Sequence, residues 1–255
     1  MLKKHGIGKE SDELIITSGA QQVMNLASMV LCNSGDTIIC ENPSFIGSLN
    51  AFRSFGLNLV GVDIGCGMLA VKTSLTEIST EQLKKIMGII REKIPVGFKH
   101  HSEPQEHKIL SNQAFKWEWK HTDVCENEFE KAKFQLGTLG GGNHFIEIQK
   151  GNDGHIWFMI HSGSRNLGKK VADYYIDMAK YLCKMWKHDD LVKNELCIFP
   201  VGVDEFSNYV FEMKLCLMFS NANREVMSKR IKEAFETVIG DVSFESGPDG
   251  MFPAT

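Results

Sequence analysis

Residues 61–68, Gly-Val-Asp-Ile-Gly-Cys-Gly-Met, constrain this chain more tightly than any other stretch. Asp63 stands three residues before Cys66, and Gly61, Gly65 and Gly67 surround the pair. Glycine tolerates positive φ and lets main chain approach a ligand closely, so such a turn can aim a carboxylate and a thiol at one point. Packing alone gives no reason for an Asp-x-x-Cys pair there. Two later stretches offer partners. Gly137-Thr-Leu-Gly-Gly-Gly-Asn-His-Phe-Ile-Glu147 carries His144, and Ile160-His-Ser-Gly-Ser-Arg-Asn-Leu-Gly168 carries His161. One hard oxygen, one soft sulfur and two imidazoles form a ligand set suited to Mn, Fe, Co or Zn, and a thiolate can bridge two divalent ions.

The surroundings of the two histidines add a second kind of chemistry. After the glycine turn, Phe145-Ile-Glu-Ile148 reads as a strand that places Phe145 and Glu147 on one face together with Asn143. Glycine amides facing a phosphate, with a carboxylate facing ribose or base, make a nucleotide site. Ile156-Trp-Phe-Met-Ile160 is nearly continuous in apolar residues and is expected to be a buried strand ending at His161. Ser162-Gly-Ser-Arg165 follows, with hydroxyls and a guanidinium suited to bidentate contact with phosphate. A paired metal site beside Arg165 and a nucleotide loop points to phosphoryl chemistry, in which two ions stabilise attacking and leaving oxygens.

Composition sets outer bounds. With 255 residues, 43% of them hydrophobic, the chain can bury a sizeable core in one large domain or two small ones. A net charge of −4 gives no general attraction for polyanions, so contact with nucleic acid needs a local basic patch. Neither a secretory signal nor an apolar run long enough to span a bilayer is present, and the cytosol is the expected compartment. The seven cysteines are odd in number and carry no CxxC pair, which argues against a disulfide framework or a zinc ribbon. Cys32, Cys183 and Cys216, flanked by apolar residues, are expected in the core.

Along the first 60 residues, strand-like and helix-like stretches alternate: Leu14–Thr17, Ala20–Cys32, Thr37–Cys40, Phe45–Phe55 and Leu57–Val62. Within them Ile15-Ile-Thr-Ser-Gly-Ala-Gln-Gln22, Asn33-Ser-Gly-Asp-Thr37, Glu41-Asn-Pro-Ser-Phe45 and Ala51-Phe-Arg-Ser-Phe-Gly56 resemble a segment of fold-type I pyridoxal-phosphate aminotransferases. That resemblance implies a cofactor-phosphate turn at Ser18-Gly-Ala20 and an aromatic stacking position at Phe45. It stops near residue 60 and brings neither the Schiff-base lysine nor the pyridine partner. Further on, Leu69–Ser74 alternates as a strand, and Thr80–Lys93 has helical spacing closed by Pro95. His100, His101 and His107 are expected in a solvated loop, and Phe115–Phe134 in a surface helix docked through Trp117 and Trp119. Lys169–Met185 is expected to form a helix with Val171, Tyr174, Tyr175, Met178, Ala179 and Leu182 on its apolar face.

The three glycine-bearing stretches, in this order, closely resemble the RNA-splicing ligase RtcB family. Lys72-Thr-Ser-Leu-Thr76, Tyr174-Tyr-Ile-Asp177 and Phe219-Ser-Asn-Ala-Asn-Arg224 extend the likeness over about residues 61–235. The resemblance implies that Asp63, Cys66, His144 and His161 bind Mn²⁺, with Cys66 shared between two ions. It also implies that Asn143, His144, Phe145, Ile146 and Glu147 contact GTP, and that Arg165 contacts RNA phosphate. The family joins RNA 3′-phosphate ends to 5′-hydroxyl ends after GMP has been placed on a histidine. The family's Asp-x-His-x-Gly-x-Gly stretch is not seen before Asp63, and residues 240–255 show neither its paired-histidine motif nor the guanylylated histidine.

The expected fold class is therefore α+β, an incomplete RtcB-like mixed sheet with flanking helices, preceded by a short α/β aminotransferase-like segment. Residues 1–60 form that segment, and residues 61–255 form the RtcB-like domain, truncated at its C-terminal end. The alternatives are a non-catalytic remnant that binds metal or nucleotide, and a fragment that binds pyridoxal phosphate.

Overall fold

A computed structural model describes residues 20–33, 37–42, 58–111, 122–193, 197–200 and 202–245. By its internal contacts the chain divides into two units, residues 1–39 with 44–60, and residues 40–43 with 61–255. In the first unit, α1 spans Ala20–Leu31, with Ser28 buried and Met29, Val30 and Leu31 exposed. Strands β1 (Thr37–Asn42) and β2 (Asn58–Ile64) pair as a two-stranded sheet. Leu14–Thr17 and Phe45–Phe55 lie outside the described residues, as do most of the aminotransferase-like motifs.

The larger unit is built on a four-stranded sheet in the order β4-β5-β3-β6, formed by β3 (Gly67–Thr73), β4 (Phe145–Lys150), β5 (Ile156–Ser162) and β6 (Phe244–Glu245). Every pairing within it is antiparallel. This corrects the expected mixed sheet. It also corrects the reading of β5 as buried on both faces. Ile156, Phe158, Ile160 and Ser162 are buried, whereas Trp157, Met159 and His161 are only half-buried on the other face. A run of apolar residues in an antiparallel strand can still have one open side.

Two helices cover the buried face of the sheet. Helix α2 (Thr80–Lys93) begins at a capping box in which the Ser79 hydroxyl accepts from Gln82 N and the Gln82 side chain accepts from Ser79 N. It buries Ile86 and Ile90 against Val71, Phe158 and Ile160. Met227, Ile231 and Phe235 of α7 (Asp204–Ile239) complete that cluster. Burial of each large side chain there contributes on the order of 2 kcal/mol.

Helix α7 runs for 36 residues, about 54 Å. Its N-terminal half joins a second cluster through Leu215, Cys216 and Phe219, packed against Val171 and Tyr175 of α5 (Asn166–Met185) and Ala132 of α4 (Cys125–Gln135). Two short helices, α3 (Lys108–Ser111) and α6 (Asp189–Lys193), connect these elements. Helix α5 starts at Asn166, three residues earlier than expected, and Tyr174 on it is exposed, not part of the apolar face. The expected helix over Phe115–Phe134 is described only as Cys125–Gln135; Trp117 and Trp119 lie outside the described residues. Cys183 and Cys216 are fully buried, whereas Cys32 is half-buried. No described helix is long and apolar enough to cross a membrane.

Candidate metal centre

Cys66 sits in the two-residue turn between β2 and β3, completely buried. Gly65 takes φ +85° there, and a Cβ on it would stand 2.7 Å from Ser220 Cβ of α7. Glycine is required on both counts. From the other side, His161 projects from the last turn of β5, directly opposite Met68 of β3 and Phe145 of β4. His144 immediately precedes β4, at the end of the glycine turn.

The three side chains converge. Cys66 Sγ lies 3.0 Å from His161 Nε2 and 3.6 Å from His144 Nε2, and all three atoms fall within 4.8 Å of one another. Ligands at about 2.1–2.3 Å from one ion stand about 3.6 Å apart at a tetrahedral angle and about 3.1 Å apart at a right angle. The spacing therefore fits a shared cation. The tautomers fit as well. His144 Nδ1 lies 3.0 Å from the Leu139 carbonyl, which can only accept, so Nδ1 carries the proton and Nε2 keeps its lone pair. His161 Nδ1 faces the Met68 thioether at 2.8 Å, with the same consequence. A second partner on the far nitrogen is the usual device for orienting a metal-binding imidazole.

Asp63 is on β2, one residue from the end of that strand, and its side chain is outside the described residues. Of the residues expected at a nucleotide, Phe145 and Glu147 are exposed on the open face of the sheet with His161, and Asn143 is exposed just before them. Ile146 faces the opposite way, against the core under the sheet. Phe145 stacks on the His161 ring, with centroids 5.4 Å apart and planes within 10°. The far end of this face is closed by Lys72, 2.8 Å from Asp153, which also accepts from the Trp157 indole at 3.1 Å. Those two donors hold the Asp153 carboxyl well below the usual carboxylate range.

Arg165 caps the N-terminus of α5 at φ 60°, ψ −151°, a conformation that costs on the order of 1–3 kcal/mol in a residue with a side chain. Its Nε donates to Thr138 Oγ1 at 2.8 Å and its Nη2 to the Gly97 carbonyl at 3.0 Å. Its Nη1 and the His144 ring both crowd Gly140, at φ +97°, where a Cβ would clash with the guanidinium and stand 2.7 Å from His144 Nδ1. Burial lowers the Arg165 pKa from its ordinary value, without a carboxylate as a cause.

Residues 42–248 match the family described as tRNA-splicing ligase RtcB. The chain belongs to the RtcB family. It is 32% identical over 195 residues to the RNA-splicing ligase RtcB of Escherichia coli K12, covering 70% of this chain and 47% of that protein. To the tRNA-splicing ligase RtcB of Pyrobaculum aerophilum it is 28% identical over 225 residues, covering 72% and 46%. To the RNA-splicing ligase RtcB homolog 1 of Entamoeba dispar it is 26% identical over 222 residues, covering 71% and 41%. The chain thus spans about half the length of these relatives. The RtcB match begins at residue 42, not near 61, and none of these similarities supports the aminotransferase resemblance of residues 1–60.

His100, His101 and His107 do lie in a loop and His100 is exposed, but His101 and His107 are half-buried and make contacts with α7. The His101 ring is 2.8 Å from Arg230 Nη1 of α7, and His107 Nε2 is 3.4 Å from Glu225. The sequence predicts no helix over Asp204–Ile239, the residues of α7. Its Asn223 and Arg224 reach the turns that carry Cys66, His144 and His161, and were visible only as part of a family-like string.

Proposed function

We propose that this chain supplies the metal- and nucleotide-binding part of an RtcB-type RNA ligase acting in the cytosol. Such a ligase uses GTP and Mn²⁺ to join an RNA 3′-phosphate or 2′,3′-cyclic phosphate to a 5′-hydroxyl end, in tRNA splicing or RNA repair. The observation that carries this reading is the convergence of Cys66, His144 and His161 from three separate turns inside the family-matching segment.

In this reading Asp63 would add a hard oxygen from β2, and Cys66 would be shared between two ions. Divalent cations at such a centre supply charge stabilisation to a phosphoryl group. The chain's own residues set the stage. His144 and His161 keep their Nε2 lone pairs toward Cys66 through their Nδ1 partners. Phe145 and Glu147 offer the guanine nucleotide a ring face and a carboxylate on the open side of the sheet, with Asn143 and His144 beside them; Ile146 contributes through its backbone. Arg165, already fixed by Thr138 and Gly97, presents its remaining edge to an RNA phosphate. No histidine of this chain is assigned the covalent guanylylated role.

Calorimetric titration with Mn²⁺ tests the centre. Cys66→Ala is expected to weaken binding at least tenfold, about 1.4 kcal/mol, while Cys216→Ala, equally buried in the helical cluster, leaves it unchanged. Equally small losses in both variants would sink the assignment. Incubation with Mn²⁺ and α-labelled GTP, read on a denaturing gel, is expected to leave no GMP on this chain. A covalent adduct would instead give the chain its own nucleophile and extend the proposal to the whole reaction.

A further inference from the structure

Between the two apolar clusters that α7 serves lies a short polar band, Ser220, Asn223 and Arg224, all buried. Its bonds are directed at the turns that carry the three ligands. Arg224 Nη1 donates to the Gly65 carbonyl at 2.9 Å and to the Ser162 carbonyl at 2.7 Å, residues adjacent to Cys66 and His161 respectively. The Ser220 hydroxyl donates to the same Gly65 carbonyl and accepts from Arg224 Nη1 at 2.6 Å. Asn223 takes the third turn. Its Oδ1 accepts from Gly137 N at 2.7 Å and Thr138 N at 3.2 Å, and its Nδ2 donates to Thr138 O, Ser162 Oγ and Gly163 O at 3.1–3.2 Å. Ser162 Oγ in turn donates to the Leu139 carbonyl, the same oxygen that receives His144 Nδ1.

Burying a guanidinium and a carboxamide costs several kcal/mol unless their hydrogen bonds are met. A site that needed only packing would be served by apolar residues of similar volume. We propose that Asn223 and Arg224 are positioning residues for the metal centre, tying the Cys66 turn, the glycine turn before His144 and the end of β5 to one rigid helix so that the three ligand atoms meet in a single arrangement. The assignment rests on the metal-site reading above. Neither residue is one of the proposed ligands. The geometry also explains why two adjacent positions are used: on a helix, residues 223 and 224 point about 100° apart, so one reaches across to residues 137–138 while the other reaches back to residue 65, and both meet at residues 162–163.

The test compares wild type with Asn223→Asp, Arg224→Lys and Glu212→Gln, all as the full chain. Asn223→Asp keeps the acceptor for residues 137 and 138 but loses the donor to residues 138, 162 and 163. Arg224→Lys keeps the charge but not the planar fork. Glu212→Gln disturbs an equally buried polar group on α7 that serves residues 123–125 instead. Amide hydrogen exchange without metal is expected to speed up in residues 64–68, 137–144 and 162–165 together in the first two variants, and near residues 122–126 in the third. Mn²⁺ affinity is expected to fall at least tenfold in the first two and to stay within twofold in the third. Faster exchange spread evenly over the chain, or equal loss of affinity in all three, would reduce Asn223 and Arg224 to ordinary stabilising residues. If wild type bound no Mn²⁺ while exchange followed the expected pattern, the metal reading would fail and the tie among the turns would stand; failure of the exchange pattern overturns the proposal whatever the metal result.

Discussion

The rings of Phe145 and His161 lie face to face across β4 and β5, 5.4 Å between centroids and 10° from parallel. The pairing leaves the His161 ring few orientations, because Met68 closes its other flank through Nδ1. An imidazole held in one plane loses less freedom when it binds a cation. Offset aromatic pairs contribute about 0.5–1.5 kcal/mol beyond burial. Phe145→Leu keeps apolar area but removes the flat face, and it is expected to weaken Mn²⁺ binding about three- to tenfold in a calorimetric titration. Unchanged affinity would show that Met68 and the strand backbone orient His161 unaided.

Gly140 and Gly142 separate two effects of the glycine turn. Both have positive φ, but a Cβ at Gly142 meets open space, whereas at Gly140 it collides with Arg165 and His144. Gly142→Ala is expected to cost only backbone strain, about 1 kcal/mol, visible as a small loss of thermal stability. Gly140→Ala must also push His144 or Arg165 aside, and it is expected to lower metal affinity at least tenfold, about 1.4 kcal/mol. Equal effects of the two substitutions on metal affinity would show that His144 is not placed by this contact.

The cluster of Cys66, His144 and His161 was legible in the sequence because its residues break local rules. A thiol between glycines at Cys66 and imidazoles at strand boundaries at His144 and His161 serve no packing need, so their chemistry stood out. Helix α2 was legible from end to end because Ile86 and Ile90 keep its period and Pro95 closes it. Helix α7 was not. The face it buries carries Glu212, Ser220, Asn223, Arg224 and Ser228 among its apolar residues, which interrupts the hydrophobic repeat and gives the stretch the look of a surface. The open side of β5 was hidden for the opposite reason: Trp157 and Met159 are apolar residues on the half-exposed face, and strand alternation cannot be read when both faces are hydrophobic.

Glu212 shows what one of those misleading polar residues does. It is 1% exposed, and its carboxylate accepts from the amides of Asp123, Val124 and Cys125 and from the Tyr175 hydroxyl at 2.9 Å. Val124, the N-cap of α4, makes no side-chain cap bond, so a carboxylate delivered by α7 satisfies that helix start and favours its dipole. Burial, together with the same contact, holds the Tyr175 hydroxyl well above the ordinary phenol range. Glu212→Ala leaves buried amides without a partner and is expected to cost about 3–5 kcal/mol in urea unfolding. Glu212→Gln keeps an acceptor and is expected to cost about half as much. A loss below about 1 kcal/mol for the alanine variant would show that water replaces the carboxylate.

His101 gives the fold a dependence on acid. Its ring stands 2.8 Å from Arg230 Nη1, which also donates to the Gly137 carbonyl at 2.7 Å, and burial together with the Arg230 charge lowers the His101 pKa from its ordinary value of about 6.5. Nearby His100 acts in the same direction. The folded state thus binds its proton less readily than the unfolded state does. Stability from this group is complete above about pH 6.5 and is lost as the pH falls from there through the lower folded value, because the unfolded chain takes up the proton first. His101→Gln retains an acceptor for Arg230 but cannot become charged. Between pH 7.5 and pH 5.5, wild type is expected to lose about 2 °C more in melting temperature than His101→Gln, measured by circular dichroism. Parallel losses in the two proteins would show that His101 keeps an ordinary pKa in the fold, and that Arg230 holds the glycine turn without reference to its charge.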